Sequence, residues 1–260
     1  MSSNPWFVPP RVESNARLRL FLFPYAGGGP AVFGNWASGF PNDIETWIAH
    51  YPGRGSRYSE TPVKELDNLV EGLAHAIQPL IEKPFAFFGH SLGGLVAFEL
   101  ARYLKSNHLP QPIAMFISGC AAPQLPGQHP PLYSLTDAEF LSALKQFNGI
   151  PTELLQQPDA MELLLPILRA DFQTVETYRF IPPESPLEIP IIALGGLDDP
   201  RVSREALEEW ATQTSTRFKS IYFPGDHFFF NSAKNEIVRT IAEEMMSSLP
   251  AQRKPAWRSV

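Results

Sequence analysis

The sequence predicts an α/β domain, a mainly parallel sheet covered by helices on both faces. Two patterns point to it: short, continuous apolar runs recur along the chain, and most are followed by a stretch of helical period. Length sets a third constraint. The chain has 260 residues, enough for one large core, and no shift in composition divides it. A single domain with one insertion is expected.

The elements follow in order. "LRLFLF" (18–23) alternates as a strand, and "IETWIAHY" (44–51) is short and rich in β-formers. Leu66, Leu69, Val70, Leu73, Ile77 and Leu80 recur at three- and four-residue steps, which makes the next element a helix. "FAFF" (85–88), a helix over about 92–106 and "IAMFIS" (113–118) come next. After a long interruption the alternation resumes with "IPIIALGG" (189–196), a helix near 203–212, "FKSIYF" (218–223) and a last helix over about 231–249. No fixed-period repeat is present.

Composition excludes several function classes. Apolar residues make up 44% and charged residues 18%, and no run approaches the ~18 consecutive apolar residues of a membrane helix. The start, "MSSNPWFVPPRV", lacks the basic leader and apolar stretch of a secretory signal. Cys120 is the single cysteine, so no internal disulfide and no cysteine zinc site is expected, and a cytoplasmic location follows. A formal charge of −6 disfavours nucleic-acid binding, which depends on cations neutralising phosphates. Residues 1–17 and the basic 250–260 are expected as flexible ends, and the protein as a monomer.

"PFAFFGHSLGG" (84–94) holds the most informative residue. Gly89-His90-Ser91-Leu92-Gly93 fits G-x-S-x-G between a buried strand and a helix, the context this motif requires. A serine in a strained turn presses its backbone against residues two before and two after it, and glycine avoids the collision. The hydroxyl would then stand exposed at a helix N-terminus, where free N–H groups favour a developing negative charge. A serine also needs a base. His50, His75, His90, His108 and His129 fall in elements, in a proline-rich hinge or beside the serine, so a structural role is expected for each. His227 follows the last predicted strand and is the candidate base. For the orienting acid, "ALGGLDDPRV" offers Asp198 or Asp199 after another strand. "FPYAGGG" (23–29) follows the first strand and could turn backbone N–H groups toward a carbonyl near the serine. The N–H groups of Ala26 and Leu92 are the expected oxyanion donors. No phosphate-loop lysine and no G-x-G-x-x-G pattern accompanies these glycines.

Taken together, "FPYAGGG", "YPGRGSR", "FGHSLGG", "LLPILRADF", "GGLDDPR" and "GDHFFF" resemble the stand-alone type II thioesterases of polyketide synthase and nonribosomal peptide synthetase pathways. The similarity runs from about residue 20 to 249. It implies an α/β-hydrolase fold, the chain order Ser91, Asp199, His227 for a catalytic triad, and Ala26 and Leu92 as oxyanion donors. Asp199 is preferred to Asp198 because the Gly196-x-x-Asp199-Pro200 spacing resembles that of α/β-hydrolases. The resemblance also implies the substrate, acyl groups on the phosphopantetheine arm of acyl or peptidyl carrier proteins, with no cofactor of the enzyme's own. The rival readings are a small-molecule carboxylesterase of the same fold and a non-catalytic carrier-binding module.

Two prolines-rich clusters, 123–131 and 182–190, bracket an insertion over about 121–185 that reads as a helical lid. Thr136-Asp137-Ala138-Glu139 is a capping box starting one lid helix. Met161, Leu164, Leu165, Leu168, Phe172, Val175 and Tyr178 mark a second, which Pro166 is expected to kink or divide. Because carrier proteins are usually acidic, Arg54 and Arg57 are candidates for a docking surface, although ordinary solvated arginines are the expected reading.

Overall fold

The computed structural model describes residues 4–11, 15–125, 127, 130–145 and 157–248; His129 and the 250–260 tail lie outside them. Seven strands, β1 (Phe7–Arg11), β2 (Leu18–Phe23), β3 (Ile44–Ala49), β4 (Phe85–His90), β5 (Met115–Ser118), β6 (Ile191–Gly196) and β7 (Phe218–Phe223), form one sheet in the order β1-β3-β2-β4-β5-β6-β7. Only β1 is antiparallel to its neighbour. This is the mainly parallel α/β architecture expected from the buried apolar runs.

Strand alternation divides the core between the two faces of the sheet. Phe21, Phe23, Phe85 and Phe87 pack on one face with α1 (Leu66–Ile77) and α2 (Leu92–Ser106). On that face Phe21 and Phe87 meet edge to face with ring centres 5.9 Å apart, a favoured aromatic geometry. Leu20, Leu22, Ala86 and Phe88 face the other way, toward Phe33, Trp36 and the last helix. Consecutive residues of β2 and β4 therefore anchor opposite layers, and that fixes the register of the central strands.

Between β5 and β6 the described residues of the insertion carry α3 (Asp137–Lys145) and α4 (Pro158–Glu176). The capping box forms. Thr136 Oγ1 accepts the Glu139 N–H, and the Glu139 carboxylate accepts the Thr136 N–H at 3.0 Å. Pro166 does not divide the second helix. Its ring and Glu162, whose carbonyl loses its helical donor, both lie on the exposed side, where water can replace the missing bond. Beyond β6, the expected helix near 203–212 is a short α5 (Arg204–Glu208) followed by a 3-10 turn. The last helix begins as a separate turn, α6 (Phe229–Ser232), before α7 (Lys234–Ser247).

The N-terminal stretch corrects an expectation. Within 1–17, residues 7–11 are a strand rather than a flexible end: β1 pairs with β3, and Phe7 is 1% exposed against Phe21 and Phe23. Prolines are tolerated there because an edge strand has one side without a ladder partner. Phe7→Ala is expected to lower the unfolding free energy by about 3–4 kcal/mol in urea denaturation. A loose terminus would leave the midpoint unchanged.

Candidate active site

Parallel strands bring the site residues together because each candidate follows the carboxyl end of a strand. Ala26 follows β2, Ser91 follows β4, Asp199 follows β6 and His227 follows β7. The chain runs from β2 to β3 on one side and then to β4 on the other, so the loops after β2 and β4 flank the point where the strand order reverses. Open α/β sheets place their ligands there.

Ser91 has φ 54° and ψ −118°, one of two non-glycine residues among those described with positive φ. The glycines around it make that conformation possible. A methyl on Gly89 would lie 2.0 Å from the Gly93 carbonyl oxygen, and one on Gly93 would lie 1.9 Å from the carbonyl oxygen of Phe23 in β2. The first contact is made across the turn, with position 93 rather than with the backbone of the serine itself. The second shows that the turn is also wedged against the neighbouring strand. Ser91 donates its N–H to Ser118 at the end of β5 (2.8 Å), which ties the turn to the other side as well.

His227 Nδ1 lies 2.9 Å from Asp199 Oδ2, and the Asp199 side chain is 1% exposed. The other oxygen of that carboxylate, Oδ1, accepts the backbone N–H groups of Arg201 and Val202 at 2.8 and 3.3 Å. Asp198 is exposed. Its neighbour is thus the carboxylate built into the site: Leu197 and Asp198 form the exposed turn after β6, and the chain turns back to the sheet end at Asp199.

Ser91, Ala26 and His227 line one cavity of about 110 Å³. Lid residues Leu144, Leu168, Phe172 and Val175 form much of its wall, and Tyr25 and Phe228 complete the apolar lining. Among the described residues, neither Ala26 nor Leu92 donates its N–H to another protein group, in keeping with their places at a turn and at the first position of α2. A larger groove of about 560 Å³ is lined by residues of α1, α2, the 183–187 stretch and Gln213, and no histidine is among the described residues that line it. The smaller cavity is the one that brings the candidate residues together.

Two charged residues in the cavity wall escaped the sequence reading. Glu176 accepts the N–H groups of Leu132 and Tyr133 (2.8 and 2.9 Å) and so holds the segment leading into α3. Arg201 lies at the wall between Glu176 and Asp199; burial lowers its pKa, and the two carboxylates oppose that shift. Glu176 falls in none of the motifs, and Arg201 closes "GGLDDPR", where the acids drew the attention. Among the described residues no cluster of three or more His, Cys, Asp or Glu is placed to hold a metal.

Arg54 and Arg57 are neither docking residues nor solvated. Arg54 is 6% exposed and paired with Asp171, while Arg57 is 7% exposed, bonded to Glu60 and the His50 carbonyl, with its guanidinium over the Trp6 ring. Each is consumed by contacts that a linear sequence does not reveal.

Residues 18–245 match the model of the thioesterase domain family. The chain belongs to the thioesterase family. It is 43% identical to the gramicidin S biosynthesis protein GrsT of Aneurinibacillus migulanus, over 93% of this chain and 94% of that one. It is 38% identical to LgrE of Brevibacillus parabrevis over 97% of both chains. LgrE is named a linear gramicidin dehydrogenase, yet this thioesterase has no G-x-G-x-x-G dinucleotide pattern. Among solved structures, the type II thioesterase BorB from the borrelidin biosynthetic cluster superposes with a TM-score of 0.85 at 30% identity, covering 94% of this chain and 99% of BorB. The α/β-hydrolase fold expected from the resemblance is the observed one, and the enzyme is a serine hydrolase acting on thioesters. No helix among the described residues is long and apolar enough to cross a membrane.

His90, inside the serine turn, gives a pH-dependent expectation. It is fully buried, its Nδ1 is 3.0 Å from Ser118 Oγ, and its ring centre is 5.0 Å from that of His227. Burial, and secondly the neighbouring His227, hold its pKa well below the usual histidine value. Burial also lowers that of His50. Below pH ~6.5 the unfolded chain binds protons that the folded chain does not, so stability is complete above that pH and is lost as pH falls through it. For His90 the unfolding free energy should decline from pH 7 to 5 by up to about 1.4 kcal/mol per pH unit. His90→Gln should flatten that slope by about one proton's share in urea denaturation; an unchanged slope would remove His90 from the account.

Proposed function

We propose that this thioesterase hydrolyses acyl groups from the phosphopantetheine arms of acyl or peptidyl carrier proteins in a polyketide or nonribosomal peptide pathway, clearing stalled or wrongly primed chains. It would act in the cytoplasm, as a monomer, on partners it meets by diffusion. One observation carries the chemistry: the Asp199–His227 hydrogen bond reaches the same cavity wall as Ser91. The relatives' roles in gramicidin S biosynthesis and the borrelidin cluster support the carrier-bound substrate.

In this reading Ser91 Oγ attacks the thioester carbonyl while His227 takes the hydroxyl proton, and Asp199 orients the imidazole and stabilises its charged form. The N–H groups of Ala26 and Leu92 receive the oxyanion, each such donor being worth roughly 3 kcal/mol. Collapse breaks the C–S bond. The thiolate leaves with the proton held by His227, an easier departure than an amine's because a thiol has a pKa of about 8–9. Water, deprotonated by His227, then attacks the acyl-serine and releases the carboxylic acid. These steps draw on no cofactor of the enzyme's own.

Cavity size bears on the acyl group. At about 110 Å³ it is well below the ~300–1,000 Å³ of pockets that enclose drug-sized ligands, which favours acetyl and similarly short units over long chains. Incubation with carrier proteins bearing acetyl, butyryl or decanoyl groups, followed by intact mass, tests the proposal. Deacylation should be fastest for acetyl, and Ser91→Ala should slow it by about 10⁴-fold or more without loss of fold. Asp199→Asn should cost about 10⁴-fold in kcat and Asp198→Asn little. Ready hydrolysis of free esters with carriers left intact would overturn the carrier assignment.

A further inference from the structure

The lid helix α4 carries an ion pair into the loop that follows β2. Asp171 is 3% exposed, and its carboxylate meets Arg54 at both ends: Oδ1 accepts Nη2 at 2.8 Å and Oδ2 accepts Nη1 at 2.7 Å. Oδ2 also accepts the backbone N–H of Gly27 at 2.7 Å. Arg54 Nη1 in turn donates to the carbonyl of Gly28 at 3.1 Å. One buried pair therefore holds a donor and an acceptor of the two residues directly after Ala26.

The segment it holds is a turn. Gly28 N–H bonds to Tyr25 C=O at 2.9 Å, and Gly27, third of the four residues, has φ +79° while Ala26 does not have positive φ. Those are the marks of a type II turn, in which the central peptide is reversed relative to type I. Three consecutive glycines give this loop wide freedom, so something outside it must select one form. The Asp171 carboxylate accepts the N–H of that central peptide, and Leu168, one turn earlier on α4, packs so closely that a methyl on Gly27 would lie 2.5 Å from its Cδ2. A buried ion pair is often no more stabilising than an apolar pair of the same volume. What it adds here is direction.

We propose that Arg54 and Asp171 are positioning residues that hold the Tyr25–Gly28 turn in one form, with the Ala26 carbonyl turned with the central peptide and the Ala26 backbone kept against the cavity, and so tie formation of the oxyanion site to the seating of α4. This rests on the oxyanion role given to Ala26 above. A second contact fits the same arrangement: Thr174, one turn on, is 1% exposed and sets its hydroxyl between the carbonyls of Ala170 in its own helix and Val63, at 3.0 and 3.2 Å, so this stretch of α4 packs against the segment before α1.

The test compares Asp171→Asn and the double variant Arg54→Met/Asp171→Leu, which removes the pair without stranding a buried charge. Each is reacted with a serine-directed fluorophosphonate. End-point stoichiometry counts folded sites, and the rate per folded site reports the turn's contribution to an anionic transition state. Steady-state kcat and KM follow with an acetyl-pantetheine thioester. Both variants should label and turn over about tenfold or more slowly per folded site, with KM within about threefold of the original. Labelling and kcat at the original rate, or a rise in KM alone, would overturn the proposal and leave the pair as packing for the lid. If the unaltered enzyme labels at Ser91 but leaves acyl carriers intact, the carrier reading fails, and the labelling comparison still decides the positioning role.

Discussion

The backbone of Ser91 is the constraint on which the site depends. A non-glycine residue at φ 54° and ψ −118° is held in a sparsely populated region that costs of the order of 1–3 kcal/mol and persists only where its surroundings over-determine it. Here they do. The β4–β5 ladder carries on into the turn through the Ser91–Ser118 bond, and α2 begins immediately afterwards. Space for the turn exists because positions 89 and 93 lack side chains; with a methyl at either, backbone atoms of the turn or of β2 would have to move. The strain leaves the serine between two strand ends, beside the free N–H groups at the start of a helix.

The other site residues depend on that placement in different degrees. His227 and Asp199 are held by short loops after neighbouring strands, and the aspartate is locked by two backbone donors as well as by the imidazole. The lid adds the apolar side of the cavity. It also reaches the loop after β2 through Asp171, so the insertion is joined to the sheet by a buried polar contact as well as by packing. Such a contact is specific in direction where apolar packing is not, which suits a glycine-rich loop with no fixed shape of its own.

Much of this was legible along the chain. Ser91 stood out because G-x-S-x-G between a strand and a helix is a local pattern, and His227 because it follows the last apolar run. The choice between Asp198 and Asp199 needed three dimensions, since both follow the same strand and the deciding fact is which carboxylate is buried against His227. Asp171 left a trace that went unread: it sits on the apolar stripe of its helix, three residues after Leu168 and four before Val175, where a lone carboxylate signals a buried partner. The arginines misled because a basic residue in a glycine-rich loop looks solvent-bound until the lid and the N-terminal strand are set against it.

The sequence by itself determined the order of the strands and helices after β1 and singled out Ser91 and His227, because those depend on short-range periodicity and on local backbone sterics. Tertiary structure decided the pairing of β1 with β3, which of Asp198 and Asp199 meets His227, the burial of Arg54 and Arg57 and the clasp between α4 and the first glycine loop. Each of these joins residues from separate elements, in the last case 117 positions apart, and which groups meet is set by how the elements pack rather than by any pattern within one of them.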